Sequence, residues 1–350
     1  MTTAVVPEHA ALVAAGRRVR RRRRRAVIAA LAALALVIAG LSLCVGAFGI
    51  SPGDVVLVLL GHGAGIEEFI VLDLRLPRLV MGMVVGVAFG LAGALFQTIL
   101  GNPLASPDII GITWGASVAA VLGLLVLGVT GLAVSLLAFA GAIGVAGVIY
   151  ALAWRDGVTG NRFVLIGIAV AFMANAVLGY LLTRSDVRDA QTALVWMVGS
   201  LGSSGWDEIA IAAGALVVLV PAAALLAASL RALQLGDDVA TGLGVSAERA
   251  RLGLIVTAVA LAAVGTAAAG PIAFVAFVAA PIARRVVGTG GLELVPAALV
   301  GIIVVTASDF IALHLLPGEV QVPVGVVTGA IGAPYLLWLL AVSDRPEGAR

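Results

Sequence analysis

Asp309 is the side chain whose type and place most invite chemistry, an acidic residue within the apolar run 294–316. A carboxylate inside a membrane helix is costly, so such a group is a functional candidate by default, here the coupling residue of an ion-driven transporter. It lies within about two helical turns of the C-terminal end of the run, where a hydrated or capped structural acid explains it equally well. Asn175, Gln97 and Asn102 are its polar companions, and a proton path needs more than one ionisable group along it. His9, His62 and His314 stand far apart without ligand spacing, and Cys44 is alone in the first apolar run. Neither a metal cluster nor a disulfide framework is expected. No nucleophile–base pair is visible. All 21 basic residues are arginine, and the phosphate-binding loop G-x-x-x-x-G-K-[ST] needs a lysine. The chain is therefore read as a non-enzyme with no cofactor of its own, and any ATP-driven step needs an ATPase on a separate chain.

The elements that position these residues are membrane helices. Hydrophobic residues make up 62% of the chain and charged residues 11%, against about 25% charged in a soluble domain. Ten apolar runs read as 26–47, 76–100, 111–128, 131–154, 162–182, 208–230, 251–269, 271–287, 294–316 and 323–342, each near the roughly 20 residues that cross a bilayer. The fold class is an all-α integral membrane protein with a single ten-helix domain, 26–342, between an Arg-rich tail, 1–25, and a short tail, 343–350. Arg17, Arg18 and Arg20 to Arg25 precede the first run directly, which makes them a cytoplasmic anchor rather than a nucleic-acid site. With that end inside, seventeen arginines fall on the cytoplasmic side and only Arg75, Arg78, Arg184 and Arg188 outside. This asymmetry and the even helix count place both termini in the cytoplasm.

Gly82, Gly86 and Gly90 share one face of the second helix. Small residues let a neighbouring helix approach in lipid, and the simplest partner is another helix of the same bundle. Gly270-Pro271 leaves almost no loop between two runs, so the chain must reverse sharply or break into half-helices there. Freed backbone groups survive such a break only against protein or a water-filled cavity, which favours a transport protein over a simple anchor. The segment 231–250 is amphipathic and Gly-punctuated, and it suggests one or two short helices on the cytoplasmic face. Outside, 183–207 and Arg75-Leu76-Pro77-Arg78 supply the charged surface; those arginines either pair with a partner's carboxylates or snorkel at the interface.

Several strings now occur in order: Arg75-Leu76-Pro77-Arg78, Gly93-Ala94-Leu95-Phe96-Gln97, Asn102-Pro103-Leu104-Ala105-Ser106-Pro107-Asp108-Ile109-Ile110-Gly111, Trp196-Met197-Val198-Gly199-Ser200-Leu201, Leu243-Gly244-Val245, Gly270-Pro271-Ile272-Ala273-Phe274-Val275, Pro323-Val324-Gly325 and Gly332-Ala333-Pro334-Tyr335. Together they resemble the permeases of type II ATP-binding cassette importers, the FecCD-like family for iron–siderophore, haem and vitamin B12 uptake, and most of all its ferric-siderophore members. The resemblance implies a multi-pass protein of the bacterial cytoplasmic (inner) membrane that pairs with a second permease subunit, identical or not. The path then lies between the two subunits, near the fifth and tenth helices. It implies two ATPase subunits that bind ATP and Mg, an extracytoplasmic substrate-binding protein, and a ferric siderophore as cargo, in a membrane-lipid setting without nucleic acid.

By the same resemblance, Arg75 and Arg78 contact the binding protein. Leu235, Gly236, Asp237, Asp238, Gly242, Leu243, Gly244 and Val245 belong to the loop that docks on the ATPase. Asn102, Pro103, Gly270, Pro271, Asp309, Pro323 and Gly325 are structural or gating candidates, and Arg284 matches the basic residue that ends the eighth helix. Three departures stand out. Pro281 replaces a family histidine, Leu313 (beside His314) stands where a third docking arginine is expected, and Gln321 replaces an acidic residue, with Glu319 two positions away. The alternatives are the same architecture importing haem or cobalamin, an ion-coupled transporter using Asp309, and a non-transporting scaffold.

Overall fold

The computed structural model describes residues 6–63, 65–155, 160–202, 204–288, 290–316 and 322–343. Part of the 155–161 connection, Glu319, Gln321 and the tail from 344 onward lie outside the described residues. Helix is the regular element throughout, with no strand among the described residues.

Helix α1 spans Val6–Cys44, 39 residues. Arginine is a good helix former, so the arginine run continues the membrane helix as one rod instead of forming a separate tail. At about 58 Å it is nearly twice the hydrocarbon thickness. Helix α2 (Pro52–Leu59) is capped by Ser51, whose hydroxyl accepts from the Asp54 N–H at 3.2 Å. A short α3 (Ile66–Phe69), a π-helical turn (Ile70–Arg75) and α4 (Leu76–Ile99) then form one continuous rod. The wide turn ends just before Pro77, which has no N–H to return to the preceding turn.

Helices α5 (Pro107–Ile110), α6 (Ile112–Leu125), α7 (Leu132–Ala153), α8 (Gly160–Arg184), α9 (Val187–Val198) and α10 (Trp206–Leu233) follow. The chain is completed by α11 (Asp237–Gly242), α12 (Ala247–Ala269), α13 (Val275–Val287), α14 (Leu294–His314) and α15 (Val324–Ser343). The ten apolar runs coincide with α1, α4, α6, α7, α8, α10, α12, α13, α14 and α15. Among the described residues, seven helical stretches are by themselves long and apolar enough to cross a membrane. Of the three remaining runs, α15 has 20 residues, whereas the other two do not form full spans. α6 has 14 residues and α13 has 13, about 20 Å each. Their N-terminal ends start inside the bundle, after backbone reversals at Gly111 (φ 94) and Phe274 (φ 65).

The bundle is organised around α4, which packs against α14, α12, α13 and α10 and buries Phe89 and Phe96 completely. Its glycines explain the closeness. A Cβ on Gly86 would sit 2.6 Å from the Ile302 backbone and one on Gly90 would sit 2.5 Å from the Ala297 carbonyl oxygen, while one on Gly93 would overlap the Ala276 carbonyl. The glycine face is thus a seam within the chain, against α14 and α13. At the arginine-rich end, Arg24 Nε donates to buried Glu293 at 2.9 Å. This pair joins the N-terminal rod to the 288–293 connection and agrees with the charge reading that put both on one side.

Gly86→Val should destabilise the purified protein by about 1–3 kcal/mol through overpacking, read as a lower Tm in detergent. Gly147→Val, with nothing within 4 Å of the new Cβ, should leave the Tm nearly unchanged.

Candidate functional site: two charged poles and a broken centre

At the end of the bundle away from the arginine run, the Arg78 guanidinium grips Asp309. Nε lies 3.1 and 2.9 Å from the two carboxylate oxygens, and Nη2 lies 2.8 Å from one of them. The two side chains are 16% and 11% exposed, so the pair is largely desolvated and its two-point geometry matters. Asp309 is therefore a paired acid that ties α14 to the start of α4; a carboxylate held this way is not poised to pick up a transported ion. Arg75 turns onto its own chain, donating to the carbonyl of Leu43 at 2.6 Å and to that of Phe48, flush against Gly46. Both arginines border a cavity of about 220 Å³ that also touches Asp309, Phe310, Leu313 and His314. The structure thus gathers Arg75, Arg78, Asp309 and the departing Leu313 position at one pole.

The opposite pole carries the 231–250 segment. α10 and α12 extend beyond their apolar cores into it, because Arg231, Glu248, Arg249 and Arg251 are compatible with helix ends in water. What remains between them holds one short helix, α11, bounded by Gly236 (φ 102) and Gly244 (φ 82). Ala240 is buried and anchors α11, whereas Leu235, Val239 and Leu243 are 64%, 47% and 65% exposed. Asp237 pairs with Arg251 at 2.9 Å and Asp238 is exposed beside it. The result is a small apolar ridge with an acidic flank. Asn102 and Pro103 sit apart from it, in the turn after α4, where the Asn102 Oδ1 accepts from the Leu104 N–H at 2.9 Å. Arg284 donates to the Gln97 side-chain oxygen, and the Gln97 amide donates to the Phe277 carbonyl at 3.0 Å. Arg284, half-buried in the last turn of α13, is thereby tied to α4.

Between the poles, three helix ends meet. Ser200 N–H donates to the Ala269 carbonyl at 2.8 Å, and Gly325 N–H donates to the Gly199 carbonyl at 3.3 Å. A Cβ on Gly270 would stand 2.5 Å from the Trp196 oxygen, and one on Gly325 would overlap the Val198 oxygen. Gly270, Pro271, Pro323 and Gly325 are therefore one junction, closed by the end of α9. Ile272, Val275 and Ala276 pack with Phe89, near the middle of α4, so the junction lies at mid-bundle. Here backbone groups released by the breaks find protein partners, as lipid requires.

Sequence reasoning missed three participants. α9 was read as part of an outer charged surface, yet it leads back from the outer end of α8 to the central junction. Glu293 gave no signal, since its partner Arg24 is 269 positions away. For Asp108 the sequence suggests no role of its own. It borders a cavity together with Thr113, Pro271 and Ala273, beside the central junction. The one available hint was an acid following a proline between two apolar runs.

The profile of the FecCD transport family matches residues 25–342. The chain is 39% identical over 314 residues to the ferric enterobactin transport system permease protein FepG of Escherichia coli strain K12, covering 89% of this chain and 95% of that protein. It is 37% identical over 319 residues to the Fe(3+)-citrate import system permease protein YfmE of Bacillus subtilis strain 168, covering 91% and 95%. In three dimensions it is similar to a metal-chelate type ABC transporter solved in an inward-facing conformation, with a TM-score of 0.78 and 24% identity over 91% of this chain and 99% of that one. The broken ten-helix bundle and the sequence matched along nearly its whole length lead to one conclusion: the chain belongs to the FecCD transport family.

Proposed function

We propose that this chain is the membrane subunit of an ATP-driven importer for ferric siderophores in the bacterial cytoplasmic membrane. The observation that carries the reading is the full-length similarity to permeases named for ferric enterobactin and ferric citrate, which also selects ferric siderophores over haem or cobalamin. Two copies, or this chain and a related one, form the pore. α4 fills the middle of the single bundle with side chains, so the path runs along its surface. α8 and α15 expose Phe172, Met173, Tyr180, Ile331 and Leu337, the apolar faces that a second permease subunit covers beside the path.

Each pole then takes a partner. The ridge Leu235, Val239 and Leu243 with Asp238 docks on an ATPase subunit, which binds ATP and Mg. The pole with Arg75 and Arg78 receives the binding protein. Arg78 is held by Asp309, and Arg75 by backbone carbonyls, so a docking carboxylate joins or displaces partners already in place. Charge at this pole steers and orients the encounter more than it adds affinity. Alternating access moves the helices on either side of the central junction, and the permease performs no covalent chemistry.

Reconstituted with its ATPase and binding protein, the chain should accumulate labelled ferric siderophore only with ATP; accumulation without ATP would sink the reading. Arg75→Glu should weaken binding-protein association about tenfold at low salt and less at physiological ionic strength; unchanged affinity would remove Arg75 from that interface. Asp309→Asn should cost about 3 kcal/mol of stability by leaving Arg78 uncompensated, seen as a clear fall in Tm, and an unshifted Tm would show the pair to be dispensable. Leu243→Asp should abolish co-purification of the ATPase while leaving the permease folded; retained complex would place the docking surface elsewhere.

A further inference from the structure

Helices α13 and α15 touch at two levels between the central junction and the cytoplasmic face. At mid-bundle the Phe274 side chain presses on Gly332 of α15 so closely that no Cβ fits there. About 16 Å further along α13, in its last turn, the Arg285 guanidinium lies 4.4 Å from the centroid of the Trp338 ring. Tyr335, on the same helix as Trp338, stands 5.6 Å from it, ring centre to ring centre. The two contacts define one edge of the bundle, which ends beside the 288–293 connection.

This edge carries two cations and no acid: residues 274–288 and 332–343 include Arg284 and Arg285 but neither Asp nor Glu. Among the described residues, the arginines paired with a carboxylate are Arg24, Arg78 and Arg251. Arg284 is half-buried, and one of its N–H groups goes to the Gln97 side-chain oxygen. Arg285 is exposed, and its engaged surface is the flat face over Trp338. A guanidinium stacked on a ring keeps its five N–H donors in its own plane, where they stay free for an anion. Trp338 remains 41% exposed, so aromatic surface lies open beside those donors. Arginines set into a membrane bundle are costly, and they mark substrate and ion pathways.

Building on the import reading, which sets α15 beside the path, we propose that Arg284, Arg285, Tyr335 and Trp338 form a binding site for an anionic metal chelate at the inner mouth of that path. The residues set the ligand class. Guanidinium N–H groups take carboxylate or catecholate oxygens, and the rings take an aromatic face of the ligand. A ferric tris-catecholate offers both, because its dianionic ligands outweigh the ferric charge and present their rings outward. Arginine lining favours anion passage, and conduction needs a site that binds well enough to enter and weakly enough to leave. An exposed, hydrated pair of cations at the mouth meets that requirement.

The test uses the assembled complex of permease and ATPase, without nucleotide or binding protein, in phosphatidylcholine nanodiscs with ferric enterobactin as the probe. Of the five tryptophans, Trp338 is the one within the site, so its quenching by the coloured chelate reports occupancy. Saturable quenching is expected in wild type, and Trp338→Phe, which keeps a ring under Arg285, should remove it. Arg285→Ala should raise the apparent Kd about tenfold, the size of one charge-assisted hydrogen bond, with an unchanged elution profile and ATPase rate. Arg285→Lys keeps the charge and should lose less. Ferrioxamine B, a cationic ferric chelate without aromatic rings, should bind about tenfold more weakly than ferric enterobactin. That comparison needs no substitution, so it decides even where Arg285→Ala fails to assemble. Equal quenching by the two chelates, an unchanged Kd in Arg285→Ala, or quenching that persists in Trp338→Phe overturns the site. So does quenching abolished by phosphatidylglycerol in the disc, which assigns the arginines to lipid headgroups. ATP-driven uptake with the binding protein is measured separately; its failure counts against the import reading, while quenching decides the site.

Discussion

Hydrocarbon offers a broken helix no hydrogen-bond partner, and the middle of this protein is shaped by that fact. Chain segments stop being helical near the level of Phe89, and two of them hand freed groups to another: Ser200 to Ala269 and Gly325 to Gly199. Such exchanges need backbones in contact, which is why glycine occupies positions 199, 270 and 325. The same closeness recurs along α4, where Gly86, Gly90 and Gly93 bring α14 and α13 against its axis. Packing in lipid gains little from apolar burial alone, so van der Waals contact between backbones carries much of the association.

The charges obey a second economy. Of the arginines within or near the spans, Arg78, Arg24 and Arg284 each have a named polar partner from a distant part of the chain. Arg285 lies over the Trp338 ring at 4.4 Å, a cation–π contact that ties the cytoplasmic ends of α13 and α15. The poles therefore differ in kind. The outer one is a cavity with its cations already engaged; the inner one is an exposed ridge on a glycine-bounded helix. A partner meets preformed polar geometry at one end and apolar surface at the other.

Much of this was legible in the sequence. Ten apolar runs gave ten helices, because twenty consecutive apolar residues have few stable fates other than a membrane span, and arginine asymmetry gave their direction. The re-entrant pieces were not legible. α9 has 12 residues with one apolar face, too short for a span and readable as an amphipathic surface helix, and the four residues of α5 fall below any hydropathy signal. Nor does a run of apolar residues reveal that α6 and α13 begin at mid-bundle, since burial in protein and burial in lipid select the same side chains. Asp309 could be singled out as an acid in lipid, but its partner lies 231 positions away, and nothing local announces a pairing at that distance. Asp108 was hidden for the opposite reason: its neighbours in sequence are turn-forming residues, among which an aspartate is ordinary.

The first helix bears on how the two faces communicate. α1 is 39 residues without a proline inside its membrane run, gripped at mid-length, where that run begins, by Glu293 through Arg24 and at its outer end by Arg75 through the Leu43 carbonyl. It packs along α14, the helix that also carries Asp309. A stiff member fixed at both ends of its membrane run behaves as a tie-rod, keeping the separation of its two anchor points constant while material beside it shifts. The loop around 288–293 and the cavity around Arg75 are thus kept in register across the bilayer. Any rearrangement of the bundle has to be a rotation about this strut rather than a stretching along it.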